Sequence, residues 1–159
     1  YNNILLLARN KIFYTKFNLI DSFQNRIHLI FILFSFIFIK GKFNNEKNNE
    51  KPFFQRLFDL IFKRIELNMR EIGYGDVLVN KHMKFLVKTF YCILLDCEKY
   101  KKNTPELKNI FFSKYLKFKP STKMANNHLL LNYFDKYEAF CFDLSFNSVL
   151  KGYLNFNYN

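Results

Sequence analysis

The stretch from Phe53 to Cys97 does most to constrain the fold, because two amphipathic patterns meet in it at a short Gly73-Tyr74-Gly75-Asp76 joint. In the first, Phe54, Leu57, Phe58, Ile61, Ile65, Met69 and Ile72 recur at three- and four-residue steps, the spacing that lines up side chains on one face of an α-helix. Arg56, Lys63 and Arg70 fall seven apart on a second face, with Asp59 and Glu66 beside them. Gly73 stands where a glycine closes a last helical turn through the left-handed conformation. In the second pattern Met83, Leu86, Val87, Phe90, Leu94 and Cys97 form an apolar face, and Lys81, Lys84 and Lys88 a basic one. A joint this short between two long helices predicts an antiparallel helical hairpin.

The hairpin needs a partner layer, and the run Ile27 to Ile39 supplies it. Thirteen helical residues reach only about 20 Å against a hydrocarbon core of roughly 30 Å. Arg26 and Lys40 bound the run, so the spacing predicts the buried central helix of a bundle rather than a membrane span. Asp21 or Ser22 is placed to cap its start, since a short oxygen-bearing side chain accepts from free first-turn amides. His28, with no second histidine or carboxylate near it in sequence, reads as a hydrogen-bonded core residue. Gly41 to Lys51 reads as a polar linker, with Pro52 in the first turn of the helix that follows.

Elsewhere the signals are again helical. Ile4 to Ala8 suggests a short N-terminal helix, and Thr104-Pro105 starts one that reaches about Lys117. Leu129, Leu130, Tyr133, Phe134, Tyr137 and Phe140 mark a last long helix from Thr122 to about Phe142, and Ser145 caps a short turn that Gly152 ends. No useful run alternates with period two. The expectation is an all-α chain: one helical-bundle domain over residues 1–159, of about six or seven helices around the hairpin. Beginning at Tyr1 rather than Met, it reads as a fragment or a processed product.

The formal charge of +12 has two readings: a basic surface for nucleic acid or anionic lipid, or drift in an AT-rich coding sequence that favours Lys, Asn, Ile, Phe and Tyr. Cys92, Cys97 and Cys141 form no metal-ligand spacing and are too few for a disulfide framework, so buried, reduced thiols are expected. HExxH, CxxC, P-loop and GxSxG motifs are all missing. Glu66, Glu71 and Asp76 are spaced to point away from one another on a helix. The sequence therefore offers no catalytic residue, no metal site, no cofactor site and no small-molecule substrate. The joint reads as a local ion-pair and turn structure, or as a rigid presenter of Arg70, Tyr74 and Lys81 to a partner.

The run Leu57-Phe58-Asp59, then Met69-Arg70-Glu71-Ile72-Gly73-Tyr74-Gly75-Asp76, then Val79, Lys81, Met83-Lys84 and Phe90-Tyr91 resembles the signature of the ubiquinol-cytochrome c chaperone family. Upstream, Ala8-Arg9, Phe13-Tyr14, Phe17, Asp21 and Arg26 extend the resemblance over roughly residues 5 to 100. The chain departs from the family pattern at Ile20, Asn25, Asn80 and Cys92. The resemblance implies a non-catalytic assembly factor that binds newly made cytochrome b during assembly of the bc1 complex. Its motif residues Arg9, Phe13, Tyr14, Arg70, Glu71, Gly73, Tyr74, Gly75, Asp76, Lys81, Lys84, Phe90 and Tyr91, together with Lys88 of the basic face, are the candidate partner-binding set. It also implies a small partner protein in the mitochondrial form. The place implied is the cytoplasmic side of the inner membrane of an alphaproteobacterium, or else the matrix face of the mitochondrial inner membrane. Ribosomes or an anionic membrane surface are the further partners that the basic charge allows. A basic helical RNA- or ribosome-associated module is the alternative.

Overall fold

The structure, a computed structural model, describes residues 1–43, 51–120 and 127–158. In order these form α1 (Asn2–Ala8), α2 (Ile12–Thr15), α3 (Phe23–Phe43), α4 (Lys51–Glu71), α5 (Asp76–Lys99), a 3₁₀ turn (Tyr100–Lys102), α6 (Pro105–Tyr115), α7 (Asn127–Asp143) and α8 (Phe146–Leu150). No strand occurs among the described residues, and α2 and α8 are little more than single turns. The fold is all-α.

Helices α4 and α5 form the expected hairpin. Gly73, at φ +98°, donates to the Arg70 carbonyl at 3.0 Å while Tyr74 donates to that of Met69 at 3.1 Å, the bond pair that ends a helix on a left-handed residue. Gly75, in ordinary extended backbone, precedes the first turn of α5. The core stripes are rotated slightly from those expected. On α4 Ile61, Phe62, Ile65 and Met69 are buried and Ile72 is exposed, and on α5 Val79 and Ile93 join Leu86, Phe90 and Cys97 inside.

The hairpin covers α3, which packs most extensively against α5 and also contacts α1 and α7. Side chains are buried all round α3, from Ile27 to Ile39, as befits a central helix. It is longer than its apolar run. With 21 residues it spans about 32 Å, so length no longer separates it from a membrane span, and burial decides instead: 72% of the apolar window Phe23–Gly41 lies inside the bundle. The expected linker is correspondingly shorter. Gly41 lies in α3 and Lys51 in α4, while the rest of the linker reading, 44–50, lies outside the described residues.

Ser22 is the capping residue, its Oγ accepting from the Asn25 amide at 3.2 Å, while Asp21 pairs with Arg26 at 2.7 Å. Helix α6 stops at Tyr115, two residues short of the expected end. Residues 18–20 then run beside 117–119: Ile20 donates to the Lys117 carbonyl at 3.0 Å and Lys119 to that of Asn18 at 2.9 Å. The expected start of the last helix at Thr122 lies outside the described residues, and α7 is described from Asn127 to Asp143. Ser145 caps α8 as expected, and Gly152 follows it at φ +72°. The tail folds back so that Phe156 and Tyr158 meet the Tyr133 ring at 5.3 and 5.0 Å.

Candidate partner-binding groove

The N-terminal turns of α3, the joint and the first half of α5 enclose a groove of about 590 Å³, within the usual size range of ligand sites. Helix α3 contributes Phe23, Ile27 and His28, the end of α4 and the joint contribute Met69 and Tyr74, and α5 contributes Leu78, Lys81, His82, Phe85 and Leu86. The walls are apolar and the rim is exposed: Phe23 is 42%, Leu78 51% and Phe85 56% accessible. Leu78 and Phe85 each precede a core residue, Val79 and Leu86, by one position, which is about 100° around the helix. They therefore turn off the core stripe towards the groove. The exposed apolar surface continues along the chain at Ile72 and Val77.

His28 sits in the wall, 5% exposed. Its Nδ1 lies 2.5 Å from the Tyr115 carbonyl, which can only accept, so Nδ1 carries the proton and the neutral ring keeps its lone pair on Nε2. Burial lowers its pKa below the ordinary 6.5, against the pull of that carbonyl. Nε2 is buried without a partner. On the opposite wall the His82 ring meets the Tyr74 ring edge-on at 5.6 Å.

The candidate residues separate by position. Phe13 and Phe90 are buried: Phe13 meets the Tyr133 ring at 5.0 Å and Phe90 the Phe31 ring at 5.3 Å. Their work is in the core. Tyr14 is half-buried and donates to the Ala8 carbonyl at 3.2 Å, and Arg9 is exposed at the end of α1. Gly73, Gly75 and Asp76 form the joint, with Glu71 exposed beside them. Arg70 binds Glu66 at 2.9 Å and also bonds Asp76. Two of the three acids expected to diverge therefore meet on one guanidinium, because the chain reverses direction between them. Tyr74 and Lys81 line the groove. Lys84 instead lines a shallow depression with Asn80, Met83 and Val87, while Lys88 and Tyr91 are exposed farther along α5.

Phe23, Ile27, His28, Leu78, His82 and Phe85 were not legible as site residues. Leu78 and Phe85 carry the one available signal, a seven-residue step on the polar side of an amphipathic helix. A second cleft, of about 240 Å³, lies among Phe38, Phe54, Phe58, Phe90 and Leu94, and its walls are mostly core aromatics. Among the described residues no group of three or more His, Cys, Asp or Glu side chains is placed to hold a metal ion.

A family model described as ubiquinol-cytochrome C chaperone matches residues 15–147. The chain belongs to the ubiquinol-cytochrome C chaperone family. The match takes in α3, the hairpin and every wall of the groove, and it gives the chain a chaperone role in bc1 complex assembly. The crystal structure of the Cbp3 homolog from Brucella abortus shares the fold, with a TM-score of 0.78 at 22% identity over 100% of this chain and 86% of that one. A comparison with curated proteins finds no match.

Proposed function

We propose that this chain is a non-catalytic chaperone that receives newly made cytochrome b and shields one of its apolar segments in the groove until the bc1 complex assembles. One observation carries this reading: the groove is apolar, and its exposed rim of Phe23, Leu78 and Phe85 leaves uncovered surface of the kind that marks a partner site. A rigid groove between helices suits an apolar helical segment, which needs spaced pockets rather than a reactive group. The exposed lysines Lys81, Lys84 and Lys88 would hold the factor at the inner membrane or a ribosome, where the client emerges.

Affinity purification of the tagged protein from cells making respiratory complexes, at low and high salt, tests this. Cytochrome b retained at both salts is the expected result, since apolar contacts are salt-tolerant. Ribosomal RNA or proteins retained at low salt alone, without cytochrome b, would instead establish the basic ribosome-associated module, because phosphate contacts weaken steeply with salt. The net charge of +12 is what favours that second reading.

A further inference from the structure

We infer that the groove is built for one kind of client segment: an amphipathic helix whose apolar stripe is flanked by carboxylates. The inference rests on the reading of the groove as the client site, and it comes from the groove's charge. Among the described residues Lys81 is the single formally charged side chain in the wall and no carboxylate lines it, and His28 is buried there with its Nδ1 on the Tyr115 carbonyl.

The starts of two helices also border this space. Ser22, Phe23 and Gln24, at the start of α3, are wall residues, as is Leu78 in the first turn of α5. Unpaired first-turn amides carry partial positive charge and favour an anion beside them. The acids nearest those ends are already engaged: Asp21 pairs with Arg26 at 2.7 Å, and Asp76 bonds Arg70. The groove thus presents positive potential around an apolar floor, the complement of an apolar helix with an acidic margin.

The rim argues for a helix rather than a small amphiphile. Leu78 and Phe85 stand two turns apart, a spacing that matches i and i+7 anchors on a partner helix. Exposed Ile72 and Val77 carry the apolar surface past the groove, farther than a compact ligand would cover.

The chain contains no Trp, so a Trp placed on the apolar stripe of a synthetic helical peptide reports its own burial. Three peptides with one stripe and Glu, Gln or Lys flanks would be titrated into the full chain. The Glu peptide should show a blue-shifted emission and bind about tenfold or more tighter than the Lys peptide at low salt. Lys81→Glu should remove or reverse that order. Phe85→Ser should weaken all three, and Leu78→Ser serves if the first variant loses its helical circular dichroism. Equal binding of the three peptides, or an order unchanged by Lys81→Glu, would overturn the inference. Cytochrome b still retained, and released by Phe85→Ser, would then leave the shielding function standing. Peptide binding indifferent to both rim variants would show that the occupant sits elsewhere.

Discussion

The buried side chain of Asn25 grips the backbone of Lys117: its Nδ2 donates to the Lys117 carbonyl at 2.8 Å while its Oδ1 accepts from the Lys117 amide at 2.9 Å. A second Nδ2 proton goes to the Ile20 carbonyl at 2.7 Å. One amide thus ties the start of α3 to the segments before it and after α6, at a position where the family resemblance leads one to expect glycine.

Replacing Asn25 with Ala should destabilise the fold by about 3 kcal/mol, because three bonds made by one buried side chain are lost together. Asn25→Asp should be worse, since a carboxylate would face the two carbonyls that the amide now serves. Urea unfolding followed by circular dichroism measures both. An unchanged midpoint for Asn25→Ala would mean that water replaces the amide without loss.

Gly73 has open space where a Cβ would go, so its cost on substitution is conformational alone. Gly73→Ala should lose about 1–2 kcal/mol through the left-handed backbone, and Gly73→Asn less. The same unfolding experiment ranks the two, and equal loss would point to a contact instead of backbone conformation.

Gly41 is the opposite case. A Cβ there would lie 2.0 Å from the Phe54 ring, which contacts Phe38 and Phe146. Ala would gain up to about 1 kcal/mol in helix propensity and cost roughly 1–3 kcal/mol by overpacking. We expect net destabilisation of about 1 kcal/mol, relieved by Phe54→Leu in the double variant. Stabilisation by Gly41→Ala would mean that the Phe54 ring moves aside freely.

His28 ties stability to pH. Its folded pKa is lowered from 6.5 by burial, so below 6.5 the unfolded chain takes up a proton that the folded one refuses. Its contribution is complete above pH 6.5 and is lost as pH falls from there through the folded value. Thermal melts between pH 7.5 and 5 should show this decline. His28→Asn, whose amide can still donate to the Tyr115 carbonyl, should flatten it, and an identical slope in both proteins would assign the decline to other groups.

Reversing Lys81, Lys84 and Lys88 to Glu should reduce co-sedimentation with anionic vesicles and with ribosomes several-fold at low salt and change little at high salt. All three side chains are exposed, so folding should survive. Unchanged sedimentation would mean that the basic face does not localise the protein.

The sequence by itself determined the elements: the hairpin, its glycine stop at Gly73, the central apolar helix with Asp21 or Ser22 at its start, the caps at Thr104 and Ser145, and the family motif. Each is a local signal, written in periodicity, in the one residue that tolerates positive φ, or in a hydroxyl beside free amides. Only the tertiary structure decided which motif residues face a partner. Phe90 and Tyr91 are neighbours, yet one is core and the other surface. Leu78 and Phe85 look like stray apolar residues until α3 is laid beside α5. The groove exists only where wall residues more than forty positions apart in the chain meet, as Phe23 and Leu78 do. Long-range packing set that juxtaposition, and no window of sequence contains it.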